Sequence, residues 1–268
     1  MDLAPVRILS LAQLTNGQDW RITLAHDREE HVLFWLTRGQ GLLMLDGRRR
    51  GLTVNNFISV PPKSLFSFDP GRNALGMVAL IPPGTSVVLP QEPLHLRLRD
   101  TDAIAELAGT FDLANREANA GRALAQDALD AHIALLSVWL RRQMASDEHL
   151  PPKENAAARL SARFCRMVSE CYFLPQVMAD YAQALDVTPT HLTRACKAAS
   201  GRTAADLLSE RILHAARTTL EETQVPAQDI ARHLGFGSAA YFTRFMSAQT
   251  GMTPTQLRAA KRDGPNAS

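Results

Sequence analysis

Residues 191–201 read HLTRACKAASG and residues 241–251 read YFTRFMSAQTG, so an apolar–Thr–Arg segment closing on glycine recurs at a separation of fifty. The residues before each copy repeat as well: MADYAQALDVTPT at 178–190 and AQDIARHLGFGSAA at 227–240. Each half predicts a short amphipathic helix closing on a leucine (Leu185, Leu234), a tight turn, and a new helix opening at a hydroxyl residue (Thr188, Ser238). Those residues are good N-caps because their oxygens accept an otherwise unsatisfied backbone N–H. Pro189 falls at the first helical position, where a missing N–H costs nothing. Gly201 and Gly251 stand where a left-handed residue would end each helix. Helix, short turn and second helix make a helix-turn-helix, whose second helix can lie in a DNA major groove.

Within each second helix the residues divide by face. Leu192 and Phe242, four positions after the caps, are expected to point into a small core; Arg194 and Arg244, two residues on, are expected to project outward. Arginine suits bidentate pairing with guanine O6 and N7. A single surface arginine would read as a solvated side chain, but two at matching places after matching caps point to DNA contact. The intervening stretch AADLLSERILHAARTTLEE (204–222) reads as a connecting helix. About 20 residues at ~1.5 Å each span roughly 30 Å, close to the ~34 Å between successive major-groove faces on one side of a duplex.

GFGSAAYFTRFMSAQTGMTPTQLR (235–258) resembles the signature of the AraC/XylS family of bacterial transcription regulators, through Gly235, Phe236, Tyr241, Phe242, Gly251, Thr253, Pro254 and Arg258. ERILHAARTTL (210–220) is similar to the family's linker helix, and the likeness runs from about residue 160 to 262. The resemblance implies a regulator that binds double-stranded DNA, touches RNA polymerase and works in the cytoplasm. It implies that Thr190, Thr193 and Arg194 meet base edges or phosphates in the first motif, and Ala239, Ala240 and Arg244 in the second. Thr188, Lys197, Ser238 and Thr243 complete the expected DNA-contact set. The chain departs from the family where Phe-Lys is usual late in each recognition helix: it reads Cys196-Lys197 and Met246-Ser247. The second copy thus lacks one phosphate contact, which should flatten the salt dependence by about one unit. Ala239 and Ala240 offer only apolar contact, for instance to a thymine methyl. Either Arg244 dominates readout there or the second motif is the weaker reader.

The first hundred residues read as β structure. HVLFWLTRGQGLLMLDGRRRGLTVNNFISVPPKSLFSFD (31–69) is a series of short apolar runs broken by Gly, Asn and Pro, the pattern of a small barrel or sandwich. Asp46-Gly47 signals a hairpin, because the turn needs positive φ. Arg48, Arg49 and Arg50 beside it read as a solvated hairpin edge rather than a phosphate site, since charged edges block strand pairing. From Thr101 the pattern turns helical, and Leu129, Ile133, Leu136 and Leu140 form one apolar stripe. That stripe is either a homodimer seam through the 124–144 helix or a face packed on the barrel. SDEHLPPKENAA (146–157) has the charge and proline content of a linker. The expected fold is therefore α+β in two domains: a cupin-like β-barrel with helices, and an all-α domain with two helix-turn-helix motifs joined by a linker helix. The boundaries are a barrel at 1–100, helices at 101–147, a linker at 148–157, the DNA-binding domain at 158–262 and a tail at 263–268.

In the family an N-terminal cupin-like barrel commonly binds a small effector. HDREEHVLFWLTRGQGLLMLDG (26–47) and VPPKSLFSFDPG (60–71) are similar to the branch that responds to aromatic acids such as 4-hydroxybenzoate. The competing class is a metal-dependent cupin enzyme fused to a DNA-binding domain. Such a site needs two histidines one residue apart, an acid a few positions on and a later histidine, all converging on one ion. His26 and His31 are five apart, Glu29 and Glu30 lie between them, and PPKSLFSF carries no histidine. The pattern argues against a metal, and no Ser-His-Asp or Cys-His arrangement stands out, so neither a catalytic role nor a cofactor is expected. A metal-free pocket would take Trp35, His31 and Phe66 as wall, and Arg21, Arg28 or His26 as partner for an anionic effector.

Composition sets wider bounds. Hydrophobic content of 46% and charged content of 21% are ordinary for a globular protein. No run of eighteen apolar residues marks a membrane span, and MDLAPVRILSLAQL lacks the parts of a signal peptide. Cys165, Cys171 and Cys196 form no CxxC, as expected of free thiols in a reducing cytosol packed into a core. The net charge of +2 divides unevenly. Residues 1–156 carry 16 Lys+Arg against 18 Asp+Glu, residues 157–262 carry 13 against 8, and Asp263 supplies the last negative charge. A C-terminal third at +5 permits nucleic-acid binding.

Overall fold

The computed structural model describes residues 4–146 and 155–262, which divide into two units at Ala156, with Leu24–His26 grouped with the second. Most of the expected linker at 148–157, and the tail at 263–268, lie outside the described residues.

The first unit runs β1 (Arg7–Ser10), α1 (Leu11–Thr15), α2 (Trp20–Thr23), β2 (His31–Arg38), β3 (Gly41–Leu45), β4 (Arg48–Leu52), β5 (Asn56–Val60), β6 (Phe66–Asp69), β7 (Leu75–Ile81), β8 (Leu94–Arg97), α3 (Thr101–Ala120) and α4 (Ala125–Ala145). The expected barrel is built as two antiparallel sheets, ordered β1-β7-β2-β5-β8 and β4-β3-β6. Asp46 (φ 51°) and Gly47 (φ 66°) make the β3–β4 hairpin turn as the Asp-Gly pair predicts.

β2 shows how one strand serves two cores. Val32, Phe34 and Leu36 join Leu43, Leu45, Phe66, Phe68, Ile58 and Val78 in an apolar layer between the sheets. Leu33 and Trp35, on the opposite face, pack with Phe57, Ala79 and Leu96 against α3 and α4. A strand buried on both faces reads as a continuous apolar run, which HVLFWL does. The α4 stripe of Leu129, Ile133, Leu136 and Leu140 belongs to this second layer and is at most 6% exposed. The stripe is therefore no dimer seam: the outer face of the five-stranded sheet already covers it. Trp139 fixes the register of the helix pair, its Nε1–H donating to the Ala103 carbonyl at 3.0 Å while its ring meets Phe57 edge-on. Arg48 to Arg50 also need correction. Of the three, only Arg49 is exposed, because strand alternation places Arg48 and Arg50 opposite Leu45 and Leu43, on the side facing the other sheet.

The second unit is helical: α5 (Ala156–Cys171), α6 (Met178–Ala184), α7 (Pro189–Ser200), α8 (Ala204–Glu222), α9 (Ala227–His233), α10 (Ala239–Thr250) and α11 (Pro254–Arg262). α8 is the predicted connecting helix, about 28 Å long at ~1.5 Å per residue. It opens on a reciprocal cap: Thr203 Oγ1 accepts from Asp206 N–H at 3.1 Å, and Asp206 Oδ2 accepts from Thr203 N–H at 2.8 Å. Those bonds hold the Asp206 carboxyl below the usual carboxylate range. At the other end Arg258 donates from Nε to the Leu220 carbonyl at 3.2 Å and from Nη2 to the Val225 carbonyl at 2.5 Å. The signature arginine is thus a clamp on the helix C-terminus, where cations are favoured.

Candidate nucleic-acid interface

The two motifs share the hydrogen bonds of their turns and of their second helices' caps. In the first turn Leu185 N–H donates to Tyr181 O at 3.2 Å and Val187 N–H to Ala182 O at 3.0 Å. In the second, Leu234 N–H donates to Ile230 O at 3.0 Å and Phe236 N–H to Ala231 O at 2.9 Å. Both turns need a left-handed residue at the same place, supplied by Asp186 (φ 58°) and Gly235 (φ 76°). The recognition helices then start on Thr188, whose Oγ1 accepts from His191 N–H at 3.2 Å, and on Ser238, whose Oγ accepts from Tyr241 N–H at 3.1 Å. They end on Gly201 (φ 80°) and Gly251 (φ 74°), which donate to Lys197 O and Ser247 O.

Asp186 makes the first copy the strained one. A side chain in the left-handed region costs about 1–2 kcal/mol, partly recovered by Asp, and Gly escapes it at an entropic cost of roughly 0.5–1 kcal/mol. Asp186→Gly should raise stability by about 0.5 kcal/mol in chemical denaturation. Gly235→Ala should lose roughly 2 kcal/mol by the same measurement, since it adds left-handed strain and sets a Cβ 3.0 Å from the Leu174 carbonyl carbon and the Phe173 oxygen.

The inner faces pack as expected: Leu192, Cys196, Phe242 and Met246 are fully buried. Phe242 meets Phe236 edge-on at 5.2 Å, and the Phe164 and Tyr181 rings meet edge-on at 5.6 Å in the first motif. Burial pushes the Cys196 thiol up to about 11, so it serves as a packing group.

The outer faces carry the DNA-contact candidates. Thr188, Thr190, Arg194 and Lys197 are exposed on the first helix, with Thr193 half-buried; Ser238, Ala239, Ala240 and Arg244 are exposed on the second, with Thr243 half-buried. Thr243 Oγ1 already donates to the Ala239 carbonyl at 2.9 Å, which leaves its hydroxyl oxygen chiefly as an acceptor. His191 and Tyr241 share this face and were not among the DNA contacts expected from sequence. Tyr241 is 55% exposed, and the Arg244 guanidinium lies 6.0 Å from its ring centre. Their position three residues before each arginine is the signal that could have found them.

The expected effector residues do not come together. Trp35 packs on Phe111 beneath the helices (6.1 Å), whereas Phe66 packs on Phe68 between the sheets (5.1 Å), so one pocket cannot take both as wall. His31 is buried with its Nε2 at 2.7 Å from Ser59 Oγ, and burial lowers its pKa to about 4. Arg21 donates from Nε to Gln18 Oε1 at 2.9 Å and rests on the Trp20 ring, close to its own helix. Arg28 lies in the segment before β2, its carbonyl taken by Lys63 N–H. His26 is grouped with the second unit, not with the sheets. Among the described residues no three His, Cys, Asp or Glu converge as a metal site would require, and no helix is long and apolar enough to cross a membrane.

Residues 181–260 match the family described as a helix-turn-helix domain. Over 140 residues the chain is 26% identical to the arabinose operon regulatory protein of Escherichia coli (strain K12), a stretch covering 49% of this chain and 44% of that one. The chain therefore spans under half the length of that curated relative. Among solved structures, ToxT from Vibrio cholerae O395 aligns over 97% of this chain and 98% of its own at 13% identity and a TM-score of 0.43. The C-terminal domain of AraT, a response regulator from Geobacillus stearothermophilus, aligns over 44% of this chain and 95% of its own at 21% identity and a TM-score of 0.38. With the duplicated caps and turns already in place, residues 181–260 are a helix-turn-helix domain.

Proposed function

We propose that the chain is a transcription regulator that reads duplex DNA with α7 and α10 and senses a small organic acid, aromatic or otherwise, with its N-terminal unit. The observation that carries the DNA reading is the repetition of cap, turn and exposed arginine: Arg194 and Arg244 stand at the same place on two helices held by the same bonds. Thr190, Thr193 and His191 flank the first arginine; Tyr241, Ala239, Ala240 and Thr243 flank the second. Thr188 and Ser238 sit at the helix starts, where a phosphate oxygen would also meet backbone N–H groups. Lys197 supplies a phosphate contact to the first motif that Ser247 cannot supply to the second. In this reading RNA polymerase is the further partner, and effector binding and DNA binding shift each other by the same factor.

Selection of bound duplexes from a random pool, by the intact chain, tests the reading. The expected result is enrichment of one motif with two sub-sites about one helical turn apart. Recovery of unenriched sequence would overturn it. On the selected site, Lys197→Gln should reduce the slope of log affinity against log salt by about 0.9, measured by fluorescence anisotropy, while leaving the preferred sequence unchanged.

A further inference from the structure

The edge of the first unit where β4 and β8 end their sheets carries a cluster of cations. β4 ends the three-stranded sheet and β8 ends the five-stranded one. Arg48 and Arg50 face inward from β4, opposite Leu45 and Leu43 of the inter-sheet layer. On β8, His95 stands opposite Ile58 and Arg97 opposite Asn56, again on the inward side, since Ile58 belongs to that same layer. The Arg50 Nε is buried and has no hydrogen-bond partner among the described residues. A buried guanidinium donor without an acceptor is costly, and such a group is ordinarily paired with an anion.

We infer that Arg50, with Arg48, His95 and Arg97 around it, forms a binding site for a small organic carboxylate at the β4/β8 edge. This rests on the reading of the N-terminal unit as a sensor and names its ligand class and residues. The guanidinium fork of Arg50 offers two parallel donors to a planar carboxylate.

The hydrogen bonds around His95 fix its role. Thr53 N–H can only donate, and it points at Asn56 Oδ1 at 3.2 Å, while Asn56 Nδ2 donates to Thr53 Oγ1 at 3.1 Å. The Asn56 oxygen is therefore an acceptor, and His95, whose Nε2 lies 2.7 Å from it, carries its proton on Nε2. Burial, then the Arg50 and Arg97 charges, lower the His95 pKa to about 4. Burial and the Arg48 charge likewise lower that of Arg50, opposed by the charge of Asp46. A bound anion would relieve both groups, so the His95 pKa should rise on binding.

The test uses the intact chain, ¹⁵N-labelled on arginine and histidine, titrated with benzoate, hexanoate and succinate, and with inorganic phosphate as the competing anion. At least one carboxylate should shift the Arg50 Nε–Hε and His95 ring signals saturably. Its affinity should fall ten-fold or more in Arg50→Gln and several-fold in Arg50→Lys, which keeps the charge and loses the fork, with both variants checked for native thermal unfolding. No saturable shift with any carboxylate, equal affinity for phosphate, or affinity unchanged in both variants would overturn the site. Saturable binding that leaves DNA affinity unaltered would uphold the site and overturn the sensor reading. An acid that alters DNA affinity without moving the Arg50 signal would do the reverse.

Discussion

Replacing both Arg194 and Arg244 with alanine should abolish sequence preference while leaving a folded, salt-dependent DNA binder. Each bidentate arginine–guanine contact is worth about 1–3 kcal/mol of discrimination, so two should reduce the ratio of specific to non-specific affinity by roughly one and a half to four orders of magnitude. Non-specific affinity depends on the phosphate-facing cations. It should fall far less, because Lys197 and most of the surplus positive charge of residues 157–262 remain. Both arginines are exposed, so the melting temperature should hardly move; the contact of Arg244 with Tyr241 is worth at most about 1 kcal/mol at such a site. The single variants rank the two motifs. Arg194 is flanked by hydroxyls and followed by Lys197, whereas Arg244 has Ala239 and Ala240 beside it, so Arg244→Ala should relax nearly all discrimination in the second sub-site. Competition binding against random duplex measures these ratios directly. Retained preference in the double variant would remove both arginines from the interface.

The C-terminal motifs were legible in the sequence because their determinants are local. An N-cap hydroxyl, a proline at the first helical position and a terminal glycine act within one turn of helix, and all appear where the sequence places them. Asp186 was not legible as a left-handed residue, since Asp tolerates that region without announcing it as Gly235 does. The N-terminal unit depends on distant partners. Strand alternation correctly separates Val32, Phe34 and Leu36 from His31, Leu33 and Trp35. It cannot say that α3 and α4, seventy or more residues on, cover the second set. For that reason Trp35 and Phe66 looked like neighbours and are not. Arg48 and Arg50 show the same limit: three consecutive arginines look solvated in a sequence, but a period of two must turn some of them inward. Only the pairing of β4 with β3, and the identity of the strand facing it, reveals which.

Phe242→Ala should lower the stability of the C-terminal unit by about 3–5 kcal/mol, the range for a buried phenylalanine whose cavity cannot fully collapse. Its ring is fully buried among Met246, Leu234, Ile230 and Phe236, and those side chains come from α9, α10 and the turn between them. The loss falls in the core of the second motif, to which Leu213, Ala216 and Leu220 of α8 and Leu257 of α11 also belong. A domain holding 5–15 kcal/mol in total would be left near its limit, and the second motif should lose hydrogen-exchange protection before the first, whose core is built separately around Phe164, Tyr181 and Leu192. The neighbouring residue supplies the contrast. Tyr241 is 55% exposed, so Tyr241→Ala should cost well under 1 kcal/mol of stability and act instead on DNA affinity at the second sub-site. Adjacent positions on one helix would then separate stability from recognition, because a rotation of about 100° per residue carries Phe242 inward and Tyr241 outward. Chemical denaturation of the two variants, with DNA binding measured below the onset of unfolding, decides it. Equal destabilisation by both would mean that α10 is rotated from the orientation that presents Arg244 to a groove.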